Sequence, residues 1–110
     1  MRVRANNASG GGGVHYRSDY FTVASGTDKT IPLTFEPTIV SLVIDNGTYY
    51  CFSIQDTVHN VSYQFGYMGS TFHHNASTIV INGNSITLPY ISSNFNGKTC
   101  YWYATDYTGA

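Results

Sequence analysis

The sequence predicts an all-β fold, an antiparallel β-sandwich of about eight short strands behind a flexible, glycine-rich N-terminal arm. Val, Ile, Thr, Tyr, Phe and Trp supply 46 of 110 residues, whereas the good helix formers Ala, Leu, Glu, Lys, Met, Gln and Arg supply only 19. Short apolar runs alternate with turn residues at near-regular spacing, including three Asn-Gly pairs. These observations exclude helical bundles and βαβ folds, and they leave open whether the strands form a sandwich or a closed barrel.

The arm comprises residues 1–17, and the predicted β-sandwich domain comprises residues 18–110. Four consecutive glycines, Gly10–Gly13, give the arm the backbone freedom of a linker. Arg2, Arg4 and Arg17 give the arm a charge of +3, while residues 18–110 carry −4. We expect these arginines to dock on an acidic neighbouring surface; a solvated tail is the alternative.

The first half of the chain contains four predicted strands: Tyr20–Ala24, Thr30–Phe35, Ile39–Asp45 and Thr48–Gln55. Pro32 cannot donate to a ladder, which favours an edge strand or a bulge. In the third strand Val40, Leu42 and Ile44 are expected to point inward. Asn46-Gly47 is typical of the tight turn that joins two antiparallel strands.

The second half contains four more predicted strands: Val61–Met68, Ser77–Ile81, Ser85–Leu88 and Lys98–Asp106. Residues 69–75 are expected to form a loop, and residues 82–84 the turn of a second hairpin. A further turn at residues 94–97 precedes the closing strand. Alternation places Cys100, Trp102 and Ala104 on the core face of that strand, and Tyr101, Tyr103 and Thr105 on the outer face.

Two stretches together resemble a known family. They are Phe21-Thr22-Val23 with Lys29–Val40, and Ser85–Leu88 with the closing run Asn94-Phe-Asn-Gly-Lys-Thr-Cys-Tyr-Trp-Tyr-Ala104. Their order resembles small β-sandwich domains of bacteriophage tail and other virion proteins, similar in layout to the H-type lectin sandwich, which often assembles as trimers. The resemblance covers roughly residues 20–106, but residues 55–75 match no part of the pattern, and the glycine-rich start lies outside it.

The resemblance implies a structural or host-attachment role in a virion, after synthesis in the cytoplasm of a bacterial host. It also implies that the partners are other virion proteins and further copies of the chain, with a homotrimer favoured.

The two cysteines, Cys51 and Cys100, are predicted to be free thiols. Because Tyr50, Phe52 and Ile54 form the apolar set of their strand, Cys51 is expected on the outer face, whereas Cys100 faces the core. A disulfide needs converging side chains, which this arrangement does not provide.

The histidines are His15, His59, His73 and His74, and solvated or hydrogen-bonded roles are expected for them. A metal stays open if the adjacent His73 and His74 lie in a loop and His59 or Asp56 supplies a third ligand. Convergence of histidines on a trimer axis is a further alternative. The main prediction is that the protein has neither a metal nor a cofactor.

The sequence contains no motif of a nucleophile, a zinc protease or a phosphate loop. Most of the six acidic residues lie beside turns, and they do not suggest the carboxylate pair that a glycosidase needs. The protein is therefore predicted not to be an enzyme. An acidic domain with two lysines is not expected to bind nucleic acid. No apolar run is long enough to span a membrane, and the N-terminus lacks the apolar stretch of a secretion signal.

Tyrosines at predicted outward positions are the best candidates for binding: Tyr49, Tyr101, Tyr103 and Tyr107. Tyrosine rings serve subunit interfaces and sugar stacking equally well, and an interface is the favoured interpretation. The predicted function is that of a non-enzymatic virion protein of the tail, fibre or baseplate. The alternatives are a capsid decoration or head-fibre protein, and a carbohydrate-binding module for host recognition.

Overall fold

The structure is a computed structural model that describes residues 14–69 and 72–109 of the chain. Within these residues nine strands form: β1 (Tyr16–Thr22), β2 (Lys29–Pro32), β3 (Ile39–Asp45), β4 (Tyr50–Asp56), β5 (Val61–Tyr67), β6 (Phe72–Asn75), β7 (Val80–Asn82), β8 (Ser85–Leu88) and β9 (Thr99–Thr105). They build two antiparallel sheets, with the orders β1-β9-β3-β4-β5-β6 and β2-β8-β7. The predicted all-β antiparallel sandwich is confirmed. Arg2, Arg4 and the glycine run lie outside the described residues.

The six-stranded sheet is organised around the β3–β4 hairpin. Asn46 holds its turn, because the side-chain oxygen of Asn46 accepts the backbone N–H groups of Thr48 and Tyr49 at 2.8 and 2.7 Å. The side-chain amide of Asn46 donates to the carbonyl oxygen of Asn94 at 2.8 Å and ties the hairpin to the turn before β9. The Asn46-Gly47 turn predicted from the sequence is thus confirmed.

The three-stranded sheet contains the second predicted hairpin, β7–β8, in which Asn82 pairs with Ser85 around Gly83. Gly83 has φ +61°, a left-handed conformation that glycine adopts without a steric cost. Strand β2 is an edge strand and ends at Pro32, as the missing N–H of proline predicts.

The core lies between the two sheets and over the centre of the larger one. The inward set predicted for β3 is confirmed, as is the core face of β9, where Trp102 is 1% exposed. Strands β2 and β8 cover these side chains, and the short 3-10 turn Ser93–Phe95 adds the buried ring of Phe95. The buried apolar residues are Ile31, Leu33, Val40, Leu42, Ile44, Cys51, Ile79, Ile86, Leu88, Phe95, Cys100, Trp102 and Ala104.

The orientation predicted for β4 is wrong. Cys51 is fully buried, whereas Tyr50 is exposed and Phe52 and Ile54 are half-buried on the opposite face. Ser53 shares the inner face with Cys51, and its hydroxyl lies 2.8 Å from that of Ser77. The small, partly polar side chains therefore face the core, and the large apolar ones face outward.

Both thiols are free and buried, so the predicted absence of a disulfide is confirmed although the reason differs. Ile44 pairs with Cys51 on one side and with Cys100 on the other, so both thiols project from the inner face two strands apart. That spacing is about 10 Å, beyond the reach of a disulfide. Burial raises the pKa of Cys51 to about 11, and burial together with the neighbouring Cys51 raises the pKa of Cys100 to about 12.

Two further boundaries differ from the predictions. Residues 72–75 form strand β6 on β5 rather than belonging to a loop. Strand β1 begins at Tyr16, so Arg17 pairs with Ala104 inside the sheet instead of belonging to the arm. None of the described segments forms a helix long and apolar enough to cross a membrane.

Candidate interaction surfaces

One face of the six-stranded sheet packs on the second sheet, and we call the opposite face the outer face. Residues that stand opposite each other in antiparallel strands share a face, so the register defines its members. Tyr20, Tyr101 and Val43 form one continuous row across three strands, and this row continues through Phe52 and Phe65.

The outer face is rich in aromatic side chains, which form pairs across neighbouring strands. The ring centroids of Phe52 and Phe65 are 5.7 Å apart, and those of Tyr20 and Tyr101 are 6.0 Å apart. Such tilted aromatic pairs stabilise adjacent strands. The apolar and aromatic members of the outer face are Tyr16, Tyr20, Ile39, Val43, Tyr50, Phe52, Ile54, Val61, Tyr63, Phe65, Tyr67, Tyr101 and Tyr103.

Much of the outer face is accessible to solvent. Tyr20 on the edge strand β1 is 64% exposed, Tyr101 on the neighbouring β9 is 49% exposed, and Val61 on β5 is 42% exposed. The charged members are two carboxylates, Asp45 and Asp56, at opposite ends of the β3–β4 pair. The described outer face contains no Lys or Arg. A broad, nearly uncharged aromatic surface is typical of a protein–protein contact.

The structure brings together only two of the four tyrosines predicted to bind. Tyr101 and Tyr103 lie on the outer face. Tyr49 lies in the β3–β4 turn, where it is half-buried against the core and its ring centroid is 5.8 Å from that of Tyr67. Tyr107 is exposed beyond the end of β9, and its carbonyl oxygen accepts the Thr38 hydroxyl. The binding roles of all four stay predictions.

Arg17 borders a cleft at the open side of the sandwich, between β1 and β2. Its guanidinium carbon lies 5.3 Å from the ring centroid of Trp102, and its Nη1 donates to the carbonyl oxygen of Pro32 at 3.2 Å. Asp19 is 3.9 Å from the guanidinium group. Arg17 therefore covers the edge of the core and links the two sheets; its docking role stays a prediction.

Two of the described histidines, His15 and His59, pair with aspartates rather than with another histidine. Nδ1 of His15 lies 2.7 Å from Asp106, and Nδ1 of His59 lies 2.8 Å from Asp56. His74 contacts Tyr63 edge-on, with ring centroids 4.6 Å apart, in a strand rather than in the predicted loop. Among the side chains that the structure describes, which do not include that of His73, no three of His, Cys, Asp or Glu converge as metal ligands would.

Asp56 ends β4 and organises the turn to β5. One carboxylate oxygen accepts the backbone N–H groups of Val58 and His59 at 2.9 and 3.0 Å, and the other faces the His59 ring. Burial by itself raises the pKa of Asp56, but these hydrogen bonds and the His59 ring outweigh it and hold the pKa below the ordinary 3.8.

The ionised form of Asp56 therefore stabilises the fold, and this contribution is present above the pKa of the unfolded state and is lost as the pH falls through the lower folded-state pKa. We expect Asp56→Asn to lower the free energy of unfolding by roughly 1 kcal/mol at neutral pH, because two backbone N–H groups and the His59 ring lose a charged acceptor. The difference from the wild type should shrink below about pH 4. Urea unfolding followed by the fluorescence of the buried Trp102 measures it.

The matched control is Glu36→Gln, which removes an exposed carboxylate. We expect the free energy of unfolding of this variant to stay within about 0.5 kcal/mol of the wild type at each pH, as is usual for surface substitutions. If the free energies of unfolding of Asp56→Asn and the wild type differed by the same amount from neutral pH to pH 3, this result would contradict the role assigned to Asp56.

Comparison of the chain with protein-family models, with curated proteins and with solved structures finds no match.

Proposed function

We propose that the protein is a non-enzymatic virion structural component, of the tail, fibre or baseplate, that self-associates through the outer face. The observation that carries the self-association is the accessible aromatic surface around Tyr101 and Tyr103. The virion assignment follows from the sequence resemblance of residues 20–106.

The size of the outer face supports a contact with a second copy. The sheet has six strands at about 4.8 Å spacing, five of them seven residues long and β6 four, and it spans about 24 by 20 Å. Two such faces in contact would bury on the order of 1,000 Å² in total. This figure omits the additional area of side chains that protrude from the sheet. Specific interfaces start at about this area.

The charge of the outer face favours another copy over a charged partner. Its two carboxylates lie at opposite ends, so the middle is neutral and a copy laid upon it meets no repulsion there. An isologous contact requires that the surface complement itself, and an apolar face without charges in its middle is compatible with that requirement. A strongly charged partner would lose hydration without gaining an ion pair.

The experiment is sedimentation equilibrium of the full chain across micromolar concentrations. We expect a mass that rises with concentration from 12.1 kDa to that of a dimer, because an isologous contact is closed by two copies; a limiting mass of a trimer would require a heterologous contact instead. Because apolar burial supplies the free energy, the association should persist at high salt. A monomer at every concentration would overturn the proposal of self-association.

The virion assignment has a separate test. We expect the chain to sediment with intact particles and to be detected by mass spectrometry after they are washed in high salt. Its absence from washed particles would overturn the assignment and leave the self-association result unaffected.

A further inference from the structure

The cleft between β1 and β2 has features of a ligand site that the outer face does not share. Its volume is about 300 Å³, and it is lined by residues that include Arg17, Asp19, Phe21 and Lys29. It lies between two edge strands of different sheets, and it opens at the side of the sandwich. A cleft of this volume is at the lower end for small-molecule sites, about the size of one sugar ring.

The cleft holds two of the three cations that the structure describes, although the domain as a whole is acidic. Arg17 already contacts Trp102, Pro32 and Asp19. Lys29 differs, because its Nζ lies over the Phe21 ring at 5.9 Å and no carboxylate of the described residues is within ion-pair distance. The cleft thus offers one cation that is free to bind an anionic group.

Asp19 supplies the complementary chemistry beside these cations. Its Oδ1 accepts the N–H of Tyr20 at 2.8 Å, whereas its Oδ2 has only the 3.9 Å approach of Arg17. Oδ2 can therefore accept a hydrogen bond from a ligand hydroxyl.

We infer that this cleft binds a carboxylate-bearing sugar residue, whose carboxylate pairs with Lys29 and whose hydroxyl groups donate to Asp19. The ligand has to carry an anionic group for the free cation, and hydroxyl donors for the adjacent carboxylate. Inorganic phosphate or an acidic peptide side chain carries the first but lacks the ring of hydroxyl donors that the second requires. A uronic acid carries both in a single ring of the right size.

This inference does not depend on the proposed function, because the cleft lies between the sheets and the outer face lies on the other side of β1. The probes are D-glucuronate and D-glucose, which differ only at the sixth carbon, a carboxylate in glucuronate and a hydroxymethyl group in glucose. Binding is followed by amide chemical shifts of the full chain in solution. We expect glucuronate to bind at millimolar concentration and to shift the signals of Asp19, Phe21 and Lys29. Glucose should bind at least about tenfold more weakly, because a charged hydrogen bond contributes about 1.5–3 kcal/mol.

Two variants distinguish binding in the cleft from a nonspecific attraction of the anion to any lysine. Lys29→Gln should weaken glucuronate binding about tenfold or more. Lys98→Gln is the matched control, since Lys98 is the remaining described cation, is exposed, and does not line the cleft. It should leave the affinity within about twofold, and both variants should keep the wild-type spectrum elsewhere.

Three results would each overturn the inference: no shift of the cleft signals at tens of millimolar glucuronate, equal binding of glucose, or equal loss in both variants. Raising the salt concentration should weaken glucuronate binding, whereas association through the outer face should persist. Failure of one proposal is therefore distinguishable from failure of the other.

Discussion

Replacing Tyr101 and Tyr103 together by lysine is expected to raise the dissociation constant of self-association by at least about 100-fold. Each copy would place two positive charges on the outer face, whose described residues include no Lys or Arg. Two copies laid face to face would bury four like charges without partners, and a buried unpaired charge costs several kcal/mol. Loss of two exposed tyrosine rings removes apolar contact area as well.

The fold should tolerate these substitutions, because Tyr101 and Tyr103 are partly exposed and their backbone pairing with β1 and β3 does not depend on the side chain. Sedimentation equilibrium measures the association, and the fluorescence of Trp102 reports that the core remains intact.

The matched control is Val80→Lys on β7. Val80 is 52% exposed and belongs to the three-stranded sheet, so this variant also replaces an accessible apolar strand residue by lysine. We expect its dissociation constant to stay within about threefold of the wild type. Equal weakening by the control, or unchanged association in the double variant, would show that the outer face is not the interface.

The outer face also explains why the sequence predicts β9 correctly and β4 incorrectly. In β9 one set of alternating residues, Cys100, Trp102 and Ala104, is small or apolar, and the other carries tyrosine hydroxyls that tolerate solvent. In β4 the set around Phe52 is more apolar than the set around Cys51. Alternation then assigns the more apolar set to the core, although the core of a sandwich needs residues that fit the space between the sheets. When the outer face of a sheet is also apolar, the two faces of a strand differ little in hydrophobicity, and alternation cannot distinguish the core face from the outer one.

The alternation of residues along single strands could not reveal the cleft between β1 and β2. Its polar groups lie on β1 and β2, which belong to different sheets, and only the tertiary fold places Lys29 over Phe21. The sequence pattern places Arg17 in the arm because it stands close to a glycine run and adds to a local positive charge. Its alternation with Asp19 and Phe21 fits an inward-facing set, but two charged residues obscure that pattern.

Gly66 allows strands β4 and β5 to lie close together, and the outer-face side chains of these two strands depend on that pairing. It stands opposite Cys51 in the β4–β5 ladder and is buried on the inner side. A β-carbon at this position would lie 2.8 Å from the α-carbon of Cys51 and closer still to the carbonyl oxygen of Tyr50. Both contacts are with backbone atoms, which cannot rotate away as a side chain can. Glycine is therefore required here for close approach of two strands, not for a turn.

Gly66→Ala should consequently lower the free energy of unfolding by about 3 kcal/mol or more, at the upper end for overpacking, because β4 and β5 have to separate. For a domain of this size that loss lowers Tm by roughly 12 °C or more. It should also weaken self-association, since the Phe52–Phe65 pair spans the same two strands. Thermal unfolding followed by Trp102 fluorescence measures the first effect, and sedimentation below the lowered Tm measures the second.

Gly26→Ala is the matched control for this prediction. Gly26 has φ +67° in the turn after β1, and a β-carbon there would meet no atom within 4 Å. Only the cost of a left-handed backbone applies to this residue, about 1–2 kcal/mol, and the β4–β5 pair stays intact. We therefore expect a smaller fall in Tm than for Gly66→Ala and an unchanged dissociation constant. Equal destabilisation by the two variants would mean that β4 and β5 are not in the close contact that places the aromatic rows of the outer face side by side.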